Sequence, residues 1–351
     1  VSLERILAHF REQAAFCTSY GSPFTGELIG AMADDIESGG PTTALVADWP
    51  TNPRADALSL RLAGALHAAV LTGRDAALAA LYQGHTAASS MSEVWPVARA
   101  FLDRERVWVA EFIRSAPQTN ETRRSIALLS GFLTFAQNWH GPVDTLEIGA
   151  SAGLNLNWDS FAYRTRDWSW GDDSPVVIDT DWNGPPPPTE TRINVRNRAA
   201  CDLNPLDIRD EGQRLRLKSY IWPDQPDRLA RFEGAVALAL ANDVRVDRAD
   251  AAAWIADRLA RRARDAATIV YHSIFLQYPP REARAAIVDA IRRAGVEATP
   301  EAPLAWVRLE PEGVTDGVDT PRMVADIHVW PGGERRILAY TDGHVRAVYA
   351  V

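Results

Sequence analysis

The chain is poor in cysteine: Cys17 and Cys201 are the only two in 351 residues. Two thiols so far apart can neither staple a small fold nor build a zinc site, and they fit a reducing cytoplasm. Positive charge is in the minority, with 37 Lys and Arg against 46 Asp and Glu, for a net charge of −9. That balance disfavours general nucleic-acid binding or a standing attraction to anionic membranes. No apolar run approaches ~18 residues, so no transmembrane helix is expected. Val1–Arg11 alternates charged and apolar residues at helical spacing, unlike a signal peptide. His67, His85 and His140 lack metal-ligand spacing and read as structural, so no metal is expected. What remains is a globular composition, 46% hydrophobic and 24% charged, in a chain long enough for one large domain or two ordinary ones.

Residues 1–140 carry helical periodicity almost throughout. Leu3, Ile6, Leu7 and Phe10 recur at helix spacing, as do Leu58, Leu62, Leu66 and Val70, followed by Ala76–Leu81, Trp95–Arg114 and Thr122–Trp139. Gly39-Gly40-Pro41, Pro50 to Pro53, Gly73 and Pro117 separate them. From 143 onward strands and helices alternate. Strands are expected over Val143–Ile148, Arg198–Leu203, Val244–Val246, Thr268–Leu276, Leu304–Leu309, Val324–Trp330 and Arg336–Thr341. Helices are expected over Asn155–Tyr163, Arg228–Ala241, Ala251–Arg264 and Pro280–Ala294. The last two strands read as an antiparallel hairpin around Pro331-Gly332-Gly333. Residues 164–198 form an insertion of short strands and an extended Pro185–Pro188 loop, whose tryptophans, with Trp158, either wall a pocket or pack the insertion. Alternation of this kind implies a mostly parallel sheet with helices on both faces and a ligand beyond the carboxyl ends of its strands.

The densest signal is Leu146-Glu147-Ile148-Gly149-Ala150-Ser151-Ala152-Gly153-Leu154-Asn155. An apolar strand ends in an acid, then a small-residue turn, then a helix start. This is the layout of a strand–loop–helix nucleotide cradle, in which small residues let backbone N–H groups approach the ligand. The same residues match two other patterns. Gly149-Ala150-Ser151-Ala152-Gly153 is a G-x-S-x-G nucleophile elbow, and the segment is also a damaged G-x-G-x-x-G dinucleotide fingerprint.

Glu147, with Gly149, Ala150, Ser151 and Gly153 behind it, suits a cationic ligand with an amino acid tail; its bland role is a cap or an ion pair. Asp202, closing the second strand, could hydrogen-bond ribose hydroxyls or close a turn. Asp250 could reach an adenine amino group or cap the next helix. His272 is a candidate acid or base at the fourth strand end, with Ser273 and Gln277 nearby as substrate contacts. Gln118, Asn120 and Arg123 form a polar cluster that either contacts substrate or caps a helix.

Leu146–Leu156, Asp202-Leu203-Asn204-Pro205-Leu206-Asp207, Trp222-Pro223-Asp224-Gln225, His272-Ser273 and Gln118-Thr119-Asn120-Glu121 together resemble a bacterial family of unknown function, over nearly the whole chain. That family looks like a remote relative of class I S-adenosylmethionine-dependent methyltransferases. The resemblance implies an α/β fold with a Rossmann-like, methyltransferase-type sheet over 141–351, preceded by an all-helical region over 1–140 serving as lid or acceptor wall. It implies S-adenosylmethionine as cofactor and a small or medium-sized acceptor. Ser151 departs from the glycine common in that loop. Two alternatives stand beside it: a non-catalytic S-adenosylmethionine or nucleoside binder, and a serine hydrolase using Ser151 with His344 and Asp326 or Asp316. Oligomeric state is not legible.

Overall fold

The computed structural model describes residues 1–83, 90–118, 120–315, 320 and 322–351. His85, Thr119 and Asp316 lie outside the described residues. The chain divides into two units, Val1–Thr119 with Asp210–Ala230, and Asn120–Arg209 with Arg231–Val351. The first expectation to change is therefore the boundary: it falls before Asn120 rather than at 140, and a later segment returns to the first unit.

The first unit holds α1 (Leu3–Ser19), α2 (Pro23–Glu37), α3 (Pro41–Val46), α4 (Leu58–Leu71), α5 (Ala76–Gln83), α6 (Met91–Arg104), α7 (Arg106–Phe112) and α9 (Glu211–Ser219). The helix expected over Trp95–Arg114 is two helices that break at Glu105. Their apolar stripes meet in a core containing Ile6, Phe10, Ile29, Met32, Leu62 and Phe101. Tyr220 and Trp222 complete that core. A Cβ at Gly64 would lie 2.5 Å from the Tyr220 ring, so α4 can accept Tyr220 only with glycine there. Asp224 fastens the returning segment. It accepts from the Ser22 hydroxyl at 2.5 Å and the Phe24 N–H at 3.1 Å.

The second unit is built on a nine-stranded sheet. Its strands are β1 (Pro142–Ile148), β5 (Asp181–Asn183), β6 (Asn194–Asp202), β7 (Asp247–Arg248), β8 (Ala267–Ser273), β9 (Leu304–Pro311), β10 (Met323–Trp330), β11 (Glu334–Thr341) and β12 (Ala347–Ala350). Their order is β5-β12-β11-β10-β9-β8-β1-β6-β7. The run from β7 to β9 is parallel, β9 to β12 is antiparallel, and β5 joins β12 in parallel. The expected hairpin between β10 and β11 is present. β12 was not anticipated from the sequence.

Strand alternation sends Leu146 and Ile148 to one face and Thr145 and Glu147 to the other. The first face packs with Val270, Leu304 and Trp306 against Trp254 and Ile255 of α11 (Ala251–Ala260) and Ile287 and Ile291 of α12 (Arg281–Val296). The second is covered by α8 (Ser125–Ala136), which is buried on nearly every side. A Cβ at Gly131 would come within 2.5 Å of Val307, so α8 lies directly on β9. That burial is why α8 belongs with the sheet and not with the preceding helices. Among the described residues, no helix is long and apolar enough to cross a membrane.

One local expectation fails where it matters most. Residues 154–160 form a 3-10 turn rather than an α-helix, and β2 (Ala162–Arg164) follows at once. Asn155, Asn157 and Asp159 alternate here, and their short polar side chains compete with the backbone for hydrogen bonds. The insertion then adds β3 (Ser169–Trp170) and β4 (Val177–Asp179) to β2 as a small sheet. Its tryptophans pack it: Trp168 and Trp182 meet edge to face at 4.9 Å, and Trp158 and Trp170 are buried.

Candidate ligand site at the carboxyl ends of the parallel strands

The turn after β1 is held from within. Gly149 (φ 70°), Ser151 (φ 54°) and Gly153 (φ 74°) all take left-handed backbone. Glycine is enforced at 149, where a Cβ would sit 2.1 Å from the Phe275 ring. The N–H groups of Gly149 and Ala150 donate to the Cys201 carbonyl at 2.9 and 3.1 Å. Ser151 N–H donates to Asp202 Oδ2 at 2.8 Å, and Gly153 N–H to the Ala150 carbonyl at 2.8 Å. The N–H groups of Ala152 and Leu154 both donate to Asn120 Oδ1, at 3.2 and 2.9 Å. The whole run 149–154 is thus paired inside the protein. This corrects the expectation that loop N–H groups face a ligand. Buried N–H groups must find partners, and without a following α-helix they find Asn120 and Asp202.

Glu147 is 3% exposed and pairs with Tyr271, whose hydroxyl donates to Oε2 at 3.2 Å. Burial raises its carboxyl from 4.5 to about 8; the Tyr271 hydrogen bond opposes this and the Asp202 charge adds to it. At neutral pH Glu147 is therefore mostly the neutral acid. Burial, with Glu147 beside it, likewise raises the Tyr271 phenol and keeps it a donor. Phe132 of α8 stands edge-on to Tyr271 at 5.3 Å and stacks on Trp158 at 4.0 Å. Arg198 ties its Nε to the Leu156 carbonyl at 3.0 Å and pairs with Asp159. Asn155 Oδ1, Trp158 Nε1 and Asp159 Oδ1 are buried with no hydrogen-bond partner among the described residues.

The other sequence candidates are spread unevenly. Asp202 holds two turns at once, taking Asn204 N–H on Oδ1 at 2.9 Å besides Ser151. Asp250 caps α11 through Oδ1, accepting from Ala252 and Ala253 N–H at 3.0 Å each. Asn120 clamps the loop. Arg123 turns to the insertion, with Nη2 3.6 Å from Asp179. Gln118 belongs to the first unit. Ser273 is half-buried at the end of β8 and Gln277 is exposed beyond it.

His272 does not serve as a base for an outside group. It is fully buried, its Nδ1 lies 2.6 Å from Glu310 Oε1, and its Nε2 accepts from Trp306 Nε1 at 2.9 Å. With Nε2 occupied by an indole N–H, the ring donates through Nδ1 and keeps no lone pair for a substrate proton. Asp326 is not placed as the acid of a serine-hydrolase relay, because both its oxygens are taken by Arg308 and Arg335, and the other candidate acid, Asp316, lies outside the described residues.

Glu310 escaped the sequence reading. Besides His272 it accepts Phe275 N–H at 2.9 Å and Leu276 N–H at 3.2 Å, and so sets the loop that presses Phe275 against Gly149. An acid closing a buried strand flagged Glu147 and Asp202; the same signal holds for Glu310, but β9 was expected to stop at Leu309. Among the described residues, no group of three or more His, Cys, Asp or Glu is placed to hold a metal ion.

Neither the curated proteins nor the solved structures contain a match to this chain. A family model described as "Uncharacterized protein conserved in bacteria (DUF2332)" matches residues 8–349, and the chain belongs to that family.

Proposed function

We propose that the sheet unit is Rossmann-like and binds S-adenosylmethionine, whose methyl group is passed to a small acceptor. The observation that carries this reading is the strand order. From β1 the chain steps outward to β6 and β7, then returns to the other side of β1 for β8 and β9. A parallel sheet that reverses in this way opens a crevice at the carboxyl ends of its strands, and ligands occupy it. Acids close the two strands on one side of the reversal, Glu147 on β1 and Asp202 on β6.

In this reading Glu147 meets the cationic end of the ligand and ionises as it arrives. Asp202 has lone pairs left for ribose hydroxyls. Asp250 Oδ2, unused in the cap, faces the adenine side. Methyl transfer needs alignment and exclusion of water more than proton movement. One observation favours a second reading, a binder without transfer: His272 is fully engaged inside the protein.

Calorimetric titration of the full chain with S-adenosylhomocysteine tests the site. Micromolar binding, weakened at least tenfold by Glu147→Ala, is the expected result. A folded protein that takes up no ligand removes both readings. Binding without methyl transfer to any small acceptor selects the second.

A further inference from the structure

A cavity of about 450 Å³ lies within the helical unit, between the end of α3, the loop over 47–57, the first turn of α4 and the end of α7. Leu45, Trp49, Pro50 and Ile113 supply apolar wall, and Asp56 and Arg61 stand among them. The volume falls within the ~300–1,000 Å³ of small-molecule sites, which are built in this way from apolar wall and a few placed polar groups. One corner is held firmly. Trp49 Nε1 donates to Asp56 Oδ2 at 2.9 Å, the Thr51 hydroxyl donates to the same oxygen, and the Arg61 guanidinium lies over the Trp49 ring at 5.2 Å. Arg61 is 5% exposed. Its Nε donates to the Asp56 carbonyl at 2.6 Å, and its Nη1 to the Ile113 and Arg114 carbonyls at 2.9 and 3.0 Å. The fork is thus fixed by main chain from both the loop and the end of α7.

Two atoms of this corner are left over. Arg61 Nη2 and Asp56 Oδ1 stand 3.7 Å apart, too far for a hydrogen bond, and neither makes one elsewhere among the described residues, which include the whole lining. Burial works to raise the Asp56 carboxyl, but the hydrogen bonds from Thr51 and Trp49 and the Arg61 charge hold it below its ordinary value, so it stays an ionised acceptor. The two charges balance each other, and Arg114 at the rim is matched by Glu111 at 3.0 Å. The corner therefore offers a donor beside an acceptor, with no net charge for an occupant to satisfy.

A cis pair of C=O and N–H groups answers both atoms at once. The carbonyl accepts from Arg61 Nη2, and the N–H donates to Asp56 Oδ1. A ring amide and a primary carboxamide present the two groups on one edge. An ordinary trans peptide group holds them on opposite sides and does not fit. The half-buried Trp49 indole adds an aromatic surface for a flat ring to pack against.

We propose that this cavity binds an uncharged flat molecule with a cis amide edge, either a nucleobase-type ring amide or an aromatic carboxamide, through Arg61 Nη2 and Asp56 Oδ1. The site uses no residue of the sheet unit and does not rest on the S-adenosylmethionine reading.

The test is titration of the full chain with uracil, a ring amide, and nicotinamide, a pendant carboxamide, followed by ligand-detected NMR and calorimetry. Each is run beside its methylated analogue, 1,3-dimethyluracil or N,N-dimethylnicotinamide, which keeps the carbonyl and loses the N–H. Saturable binding of at least one parent compound is expected, with its analogue at least tenfold weaker. Tighter uracil binding assigns the ring amide, and tighter nicotinamide binding assigns the carboxamide. Ala110→Trp, which fills the space and keeps both Asp56 and Arg61, abolishes binding. Asp56→Asn puts an amide donor where the free acceptor stood; it weakens the parent at least tenfold and removes the discrimination between parent and analogue. The comparison of parent and analogue needs only the wild-type chain, so a variant that fails to fold leaves it standing. Absence of saturable binding by both parents overturns the proposal. So does equal binding of a parent and its analogue, or wild-type affinity in folded Ala110→Trp.

Discussion

Glu147→Gln should make the protein more stable at neutral pH, although it alters a residue in the middle of the candidate site. The wild-type carboxyl is raised from 4.5 to about 8 by burial against Tyr271 and α8. Between those values the folded state keeps a proton that the unfolded state has released. Stability from this group is therefore full below pH ~4.5 and is lost as pH rises through ~8. Each pH unit in that window costs about 1.4 kcal/mol, so at pH 7 the loss is on the order of 3 kcal/mol. Glutamine has the shape of the neutral acid, still accepts from the Tyr271 hydroxyl and does not ionise. Urea denaturation of both proteins at half-unit steps from pH 5 to 8.5 measures the difference directly. The variant should match wild type near pH 5, gain stability steadily above it, and level off beyond pH 8. A difference that stays flat across the window, or a variant less stable at pH 7.5, would refute the account of Glu147 as a buried neutral acid.

Three further outcomes are expected. Binding of S-adenosylmethionine or S-adenosylhomocysteine near pH 7 should release close to one proton, seen as calorimetric heats that differ between buffers of unlike ionisation enthalpy; buffer-independent heats would show that Glu147 stays neutral. Asn120→Ala strips the acceptor from two N–H groups and should lower stability by about 2–4 kcal/mol in urea denaturation, while Asn120→Asp restores most of it. Gly149→Ala sets a methyl against Phe275 in left-handed backbone and should cost about 2–4 kcal/mol; Phe275→Ala in the same chain should recover the steric part and leave the ~1 kcal/mol backbone part. A double-mutant cycle showing no coupling between these positions would contradict the contact.

The parallel part of the sheet was legible because its strands are buried on both faces and read as short apolar runs closed by acids. β1, β8 and β9 are of this type, and the hairpin after β10 announced itself through Pro331-Gly332-Gly333. The segment after β1 was not legible. Asn155 to Tyr163 has helical length and apolar spacing at Leu154, Leu156 and Trp158, yet the alternating Asn and Asp side chains tip it to a 3-10 turn. β12 is four residues at the chain's end with little pattern of its own, and β7 is only two residues long. At the site, residue types were readable and directions were not. Glu147 and Asp202 were found at strand ends, but sequence could not show that the loop N–H groups would turn inward to Asn120 and Asp202. Nor could it show that His272 would be shut between Trp306 and Glu310, because both partners lie on a strand more than thirty positions away.

The segment Asp210–Ala230, which leaves the sheet unit to supply Tyr220, Trp222 and Asp224 to the helical core, also governs when that core can form. On the ribosome the first seven helices emerge with a gap where those aromatic rings belong. The Ser22–Asp224 tie spans 202 positions, so it closes only after β1, the insertion and β6 have been made. At ~5–20 residues per second, synthesis of the roughly one hundred intervening residues takes about 5–20 s. Throughout that interval the chain lacks the Tyr220 ring that Gly64 accommodates in the finished fold. The order of synthesis thus opposes a simple N-to-C folding sequence, and a nascent chain stopped before Trp222 should expose apolar surface that the finished chain conceals.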